Sequence, residues 1–115
     1  MNNITNSELI KIEKINNFYY TTSLNIAEVF DISHEEVLLI IRSILKKWNQ
    51  IKSDRFCLTN YFIHTRIKDN ERVYLITKKG TARIIMPLNG INSEKAKFDF
   101  IERFEILELQ DKQTR

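Results

Sequence analysis

The sequence is poor in residues that cross-link or bend a chain: it has one cysteine, one proline and two glycines. The single cysteine, Cys57, excludes a disulfide within the chain, which is typical of proteins from a reducing cytosol. The longest apolar run, residues 37–41, is far too short to span a bilayer. No charged-then-apolar segment at the N-terminus resembles a signal peptide. We therefore expect a cytoplasmic protein that does not enter a membrane.

The chain also lacks the patterns that catalysis or metal binding requires. His34, Cys57 and His64 do not have zinc-finger spacing, and there is no glycine-rich phosphate loop or nucleophile motif. Glu35 and Glu36 are adjacent, so on a helix they point about 100° apart and do not form a pair of catalytic carboxylates. We expect a protein that is not an enzyme and that has no catalytic residue, no metal site and no cofactor.

What remains is enough material for one domain: 115 residues, of which 43% are hydrophobic and 29% charged. The formal net charge of +3 is unevenly distributed. Residues 1–50 carry five Lys or Arg against six Asp or Glu, residues 51–90 eight against three, and residues 91–115 five against six, so the local balances are −1, +5 and −1. A basic middle third attracts phosphate, although a solvated loop rich in lysine explains it equally well.

Helix-capping residues predict a pair of helices in the first half of the chain. Ser23 is expected to cap a helix of about two turns over residues 23–30. Ser33 and Glu36 form a capping box, in which each side chain bonds the other's backbone amide, at the start of a second helix over about residues 33–48. Asp31 and Ile32 make the turn between the helices.

Turn residues and β-branched residues predict the strands. Asn16 and Asn17, between aromatic and β-branched residues, suggest two short strands joined by a turn. Residues 56–67 and 73–76 form a second hairpin with a polar tip over residues 68–71.

Two further helices follow this hairpin. Thr77 is expected to cap a helix from Lys78 to about Met86, which Pro87 ends. Its inward residues are predicted to be Ala82, Ile85 and Met86. Ser93 is expected to cap the last helix, over about residues 93–109.

Together these elements predict an α+β fold with a β-hairpin and a long C-terminal helix. Residues 1–17 form an N-terminal segment with the first strand, residues 18–109 form a single domain, and residues 110–115 are a polar tail.

A pair of helices with a tight turn is a helix-turn-helix unit, and a hairpin after it favours the winged, DNA-binding variety. In that geometry the second helix enters the major groove. The candidate DNA contacts are basic residues and a histidine on that helix, on the hairpin and on the helix after it: His34, Arg42, Lys46, Lys47, Arg66, Lys68, Arg72, Lys78, Lys79 and Arg83. An ordinary helix pair beside a solvated hairpin explains the pattern as well. Likewise Tyr19, Tyr20, Tyr61 and Tyr74 either stack on bases or pack across strands.

The chain also resembles a known family over about residues 18–109. Residues 21–30, with the spacing to His34, Val37, Leu38, Ile41 and Arg42, resemble the opening motif of the Rha family of phage regulatory proteins. Residues 74–80 resemble the family's strand-to-helix motif. Asn89 and Gly90 followed by residues 95–98 resemble its "tGkkAxxfK" stretch, and the last helix continues the likeness through Ile101, Phe104 and Glu108. The resemblance implies a regulator of temperate phages and prophages that binds DNA in the bacterial host cell.

The sequence departs from the family pattern just before His34. Asp31, Ile32 and Ser33 stand where the family has glycine and basic residues, as in "GKrH". Glu35 follows at the start of the helix, where a carboxylate repels phosphate. This departure favours the basic middle third as the main contact.

Two functions are therefore open. The first is a DNA-binding transcriptional regulator whose partner is double-stranded DNA. The second is a protein-interaction module, such as an antirepressor or an inhibitor of a host protein, which suits the acidic ends of the chain. The last helix is expected to support a homodimer through an apolar stripe, although the domain core explains that stripe equally well. The stripe comprises Phe100, Ile101, Phe104 and Leu107.

Overall fold

The computed structural model describes residues 6–51, 61–67, 71–89 and 91–113. Within them the chain is mixed α+β, as the sequence predicts, with four α-helices. The two predicted hairpins join in one four-stranded antiparallel sheet, which the sequence did not predict. A short 3₁₀ turn, Asn6–Leu9, comes first. The elements that follow are β1 Glu13–Ile15, β2 Phe18–Thr22, α1 Ser23–Phe30, α2 His34–Ile51, β3 Phe62–Ile67, β4 Glu71–Ile76, α3 Lys78–Ile85 and α4 Ile91–Gln113. No helix in these ranges is long and apolar enough to cross a membrane.

The sheet has the strand order β1-β2-β4-β3. The predicted turn between β1 and β2 is confirmed: Asn16 and Asn17 have φ angles of 51° and 73°, the left-handed conformation that asparagine tolerates in tight hairpin turns. The predicted second hairpin is β3 paired with β4. Of its predicted first strand, residues 56–60 lie outside the described residues, as do residues 68–70 of the tip. Glu71 of the predicted tip begins β4.

The helix pair is confirmed, with one correction at its first cap. Thr22, not Ser23, caps α1: its side chain accepts a hydrogen bond from the Asn25 amide at 3.0 Å. Ser23 is the first helical residue, and its hydroxyl bonds elsewhere in the fold. Asp31 ends α1 in the left-handed conformation, with φ 53°. Ser33 caps α2 as predicted, accepting from the Glu36 amide at 3.1 Å.

The last two helices differ from prediction in detail. Thr77 caps α3 as expected, accepting from the Gly80 amide. The buried residues of α3 are Gly80, Thr81, Ile84 and Ile85, which confirms the prediction for Ile85. Ala82 is half-buried and Met86 is 54% exposed, so the prediction for Met86 was wrong. Ser93 lies inside α4, because this helix begins two residues earlier. It also continues to Gln113, beyond the predicted end near residue 109.

One hydrophobic core joins the helices to the sheet. Its fully buried members include Ile26, Val29, Val37, Ile41, Ile76, Ile84, Ile85, Phe100 and Phe104. The two phenylalanines of α4 are therefore core residues, and the predicted dimer stripe was wrong for both of them. The 3₁₀ turn is tied to α4 as well, because the Ser7 hydroxyl bonds the Asp99 carboxylate. Lys95, 2.7 Å from that carboxylate, and Ser7 together lower the pKa of Asp99.

Candidate nucleic-acid interface

Helix α2 presents one side to solvent and the opposite side to the core. Leu39, Arg42, Ser43 and Lys46 are exposed and recur at intervals of three and four residues, which places them on one side of a helix. We call these four residues the α2 outer face. The inward residues of the same helix are Val37, Leu38, Ile41 and Trp48, all buried. Because they are packed, the helix cannot rotate and the outer face is fixed in direction.

The outer face carries unpaired positive charge. Arg42, Lys46 and the neighbouring Lys47 are exposed and form no ion pair with any residue that the structure describes. Leu39 is 55% exposed among them. Cationic side chains without an internal partner are available to an external anion. Near the start of the helix the sign changes, because Glu35 and Glu36 are both exposed. There they interact favourably with the helix dipole.

His34 lies where three elements meet. It is half-buried, and its Nε2 is 2.9 Å from the Ser23 hydroxyl oxygen. That same oxygen accepts from the Tyr74 backbone amide at 3.0 Å. One histidine and one serine thus join the start of α2 to the start of α1 and to β4. Local sequence signals could not indicate this junction, because Ser23 and Tyr74 are 51 residues apart.

The hairpin brings a further cation to the side on which α2 lies. Arg72 is exposed and lies two residues before Tyr74 on β4, so the two side chains share one face of the strand. That face packs toward α2: the Phe62 ring is 6.3 Å from the Tyr74 ring and 6.0 Å from the Trp48 ring. Arg66 is the register partner of Arg72. Lys68, also predicted as a contact, lies outside the described residues.

The three cationic residues of α3 that were predicted as DNA contacts differ in their surroundings. Arg83 is exposed and lies 5.8 Å from the Trp48 ring centre, so a cation–π contact holds it beside α2. Lys78 points the other way and bonds Glu108 of α4 at 3.0 Å. Lys79 is exposed, and among the described residues it has no hydrogen-bond or ion-pair partner.

The structure thus brings together part of the predicted site. Arg42, Lys46 and Lys47 belong to α2, and Arg83 of α3 contacts Trp48 of α2. Arg72 lies on β4, on the strand face that it shares with Tyr74. His34 is held in a hydrogen bond, and Lys78 is paired with α4. The described residues contain no group of three or more histidine, cysteine or acidic side chains that could hold a metal ion.

Comparison with known proteins gives one match. The family model for phage regulatory protein Rha matches residues 21–109 of the 115. The match begins in β2 and ends within α4, so it includes the helix pair and the β3–β4 hairpin. Neither a curated protein nor a solved structure matches the chain significantly.

Proposed function

The chain belongs to the family of phage regulatory protein Rha, and from that premise we propose that it is a phage- or prophage-encoded DNA-binding transcriptional regulator. In this proposal the protein binds its partner and catalyses no reaction. Its partner is double-stranded DNA, and the α2 outer face is the surface that enters the major groove. The observation that carries this proposal is that outer face: a rigidly packed helix exposes Arg42 and Lys46, with Lys47 beside them, and none of the three has an ion-pair partner among the described residues.

In this proposal the fold works as a winged helix-turn-helix. Helix α1 and the turn at residues 31–33 set the angle of α2, and the junction of His34 with Ser23 holds its first turn. The β3–β4 hairpin is the wing, with Arg72 directed toward a phosphate backbone beside the groove. Arg83 extends the cationic surface from α3 along α2. Glu35 lies at the end of this surface and weakens it.

A duplex-binding series across salt concentrations tests the proposal. Fluorescence anisotropy of a labelled random duplex, and of duplexes from the phage genome, should show affinity falling linearly with salt on a logarithmic plot. Arg42→Ala should weaken binding and reduce the slope by roughly 0.9 if the side chain contacts a phosphate. Lys112→Ala, which removes an exposed cation from α4, is the matched control and should leave both values unchanged.

A separate variant tests whether the β3–β4 hairpin contacts DNA. Reversing Arg66, Lys68 and Arg72 to Glu should abolish duplex binding, because three cations near the hairpin tip become repulsive to phosphate. Circular dichroism should show that the fold remains. If this variant binds as well as the wild type while Arg42→Ala does not, the wing assignment fails and the helix assignment stands. If the wild type shows no salt-dependent duplex binding, DNA is not the partner. If the wild type binds and neither variant changes the affinity, both surface assignments fail.

A protein partner is the second candidate, and exposed apolar residues on α4 favour it. Phe98 is 75% exposed, Leu109 57% and Ile106 42%, and helical spacing places them on the side away from Phe100 and Phe104. We call Phe98, Ile106 and Leu109 the α4 outer face. We propose that this face joins two copies of the chain into a homodimer. An antirepressor or host-inhibitor role would use the same surface for a different protein.

A further inference from the structure

A cleft of about 550 Å³ lies on a part of the molecule that the proposed DNA surface does not use, apart from its rim at Lys78 and Lys79. It opens where β4 ends and the chain turns into α3. Its walls come from β2, β3, the first residues of α3 and one residue of α4. The lining residues are Phe18, Tyr19, Tyr20, Ile63, Thr77, Lys78, Lys79 and Glu108.

The strand pattern explains why the cleft exists. Strand β2 begins at Phe18 but pairs with β4 only at Thr21 and Thr22. Beyond that point the chain leaves the sheet at Thr77, whose amide bonds the Tyr61 carbonyl at 3.1 Å, and continues as α3. The first three residues of β2 therefore have no residue of β4 beside them, and the space left at this edge is the cleft.

Aromatic and cationic side chains both line the cleft. Phe18 is 64% exposed at the mouth, and Tyr19 and Tyr20 continue the wall. Lys79 also lines the cleft, and it has no partner among the described residues. Lys78 is already neutralised by Glu108 at the rim, so the free positive charge of the cleft is the Lys79 ammonium.

We propose that this cleft binds a small planar aromatic anion, with the ring against Phe18 and Tyr20 and the anionic group on Lys79. Sites for small molecules usually enclose about 300–1,000 Å³ and combine apolar walls with a few convergent polar groups. Aromatic faces attract planar rings by stacking, and a lysine that lacks an internal partner attracts phosphate or carboxylate. This site does not depend on DNA binding, and it gives the protein a surface for a small effector.

The probes are adenosine monophosphate, uridine monophosphate and salicylate, each added to the ¹⁵N-labelled full chain and followed by NMR. Saturable shifts confined to residues 18–20, 63 and 77–79 are expected with at least one of them. Phe18→Ala should weaken that binding about fivefold or more, the usual effect of losing one stacking ring. Lys79→Ala should weaken it about tenfold, the usual effect of losing a charged hydrogen bond.

The controls are matched in chemistry and exposure. Met86→Ala removes another exposed apolar side chain and Lys112→Ala another exposed lysine, both outside the cleft, and neither should change the affinity. All four positions are exposed, so the spectra should show the native fold. No saturable shift in the cleft with any probe at 5 mM, on the order of the weakest specific affinities, would overturn the proposal. Equal binding by wild type and Lys79→Ala, or cleft shifts caused by duplex DNA alone, would overturn it too.

Discussion

At the scale of single residues, buried polar contacts position the helix pair. Asn25 is the fullest example, because its side-chain amide uses both its oxygen and its nitrogen twice. The oxygen accepts from the Lys11 amide at 2.9 Å and from the Thr21 hydroxyl at 3.1 Å. The nitrogen donates to the Leu9 carbonyl at 2.8 Å and to Glu28 at 3.2 Å. The chain segment before β1 is thereby fastened to the first turn of α1.

Asn25→Ala should therefore lower the free energy of unfolding by about 2–3 kcal/mol, because the Lys11 amide and the Leu9 carbonyl would each lose a partner in a site with little access to water. Urea denaturation measures the change. Glu28→Ala is the control: Glu28 is exposed and is only one of the four partners, so its loss should stay within about 0.5 kcal/mol. Similar small losses for both variants would show that the network does not stabilise the fold.

At the scale of elements, the sequence predicted the features that depend only on neighbouring residues, such as helix caps and tight turns. Ser33, Thr77 and the asparagine turn were predicted because a cap or a turn depends on residues within a few positions. Assignments that depend on distant partners failed: the Ser23 hydroxyl bonds Tyr74 rather than capping α1, and Phe100 is buried by other elements.

The same limit applies to the candidate site. The exposure of Arg42 and Lys46 followed from helical spacing. The contact of Arg83 with Trp48 and the pairing of Lys78 with Glu108 link residues at least 30 positions apart, which no short motif encodes.

At Gly80, the local helix propensity and a contact with a distant residue predict opposite effects of a substitution. On helix propensity alone, Gly80→Ala should stabilise α3 by about 1 kcal/mol. In the structure an added Cβ would lie 2.3 Å from the Tyr61 carbonyl oxygen, so α3 would have to move away from the residue that precedes β3. We expect a net destabilisation of about 1–3 kcal/mol, as in other overpacked sites.

Thermal denaturation followed by circular dichroism decides the sign. Lys79→Ala, one residue earlier and exposed, is the reference and should change stability by no more than about 0.5 kcal/mol. A Gly80→Ala protein more stable than the wild type would mean that the close approach of α3 to Tyr61 is wrong.

At the scale of the whole molecule, the outer faces of α2 and α4 differ in the sign of their charge. Arg42, Lys46 and Lys47 of α2 have no ion-pair partner among the described residues. On α4, by contrast, the exposed Glu102 and Glu105 lie between Phe98 and Leu109 on the same side of the helix. An acidic, apolar face repels phosphate, so α4 is a poor DNA contact and a better protein contact. Large exposed apolar residues on one helix side are typical of interfaces, and a two-fold pairing of equal faces is the commonest arrangement of soluble oligomers.

The homodimer proposal predicts twice the 13.8 kDa chain mass by light scattering at high protein concentration. Phe98→Ser combined with Leu109→Ser should shift the mass to one chain, because the interface loses its two most exposed apolar side chains on α4. Met86→Ser combined with Leu39→Ser removes two residues of similar exposure from other elements and should leave the dimer intact. Since Glu102 and Glu105 of the two copies would approach each other near the two-fold axis, added salt should screen their repulsion and strengthen the dimer. A one-chain mass for the wild type at every concentration and salt level would refute the proposal, and the α4 outer face would then be left for a different protein partner.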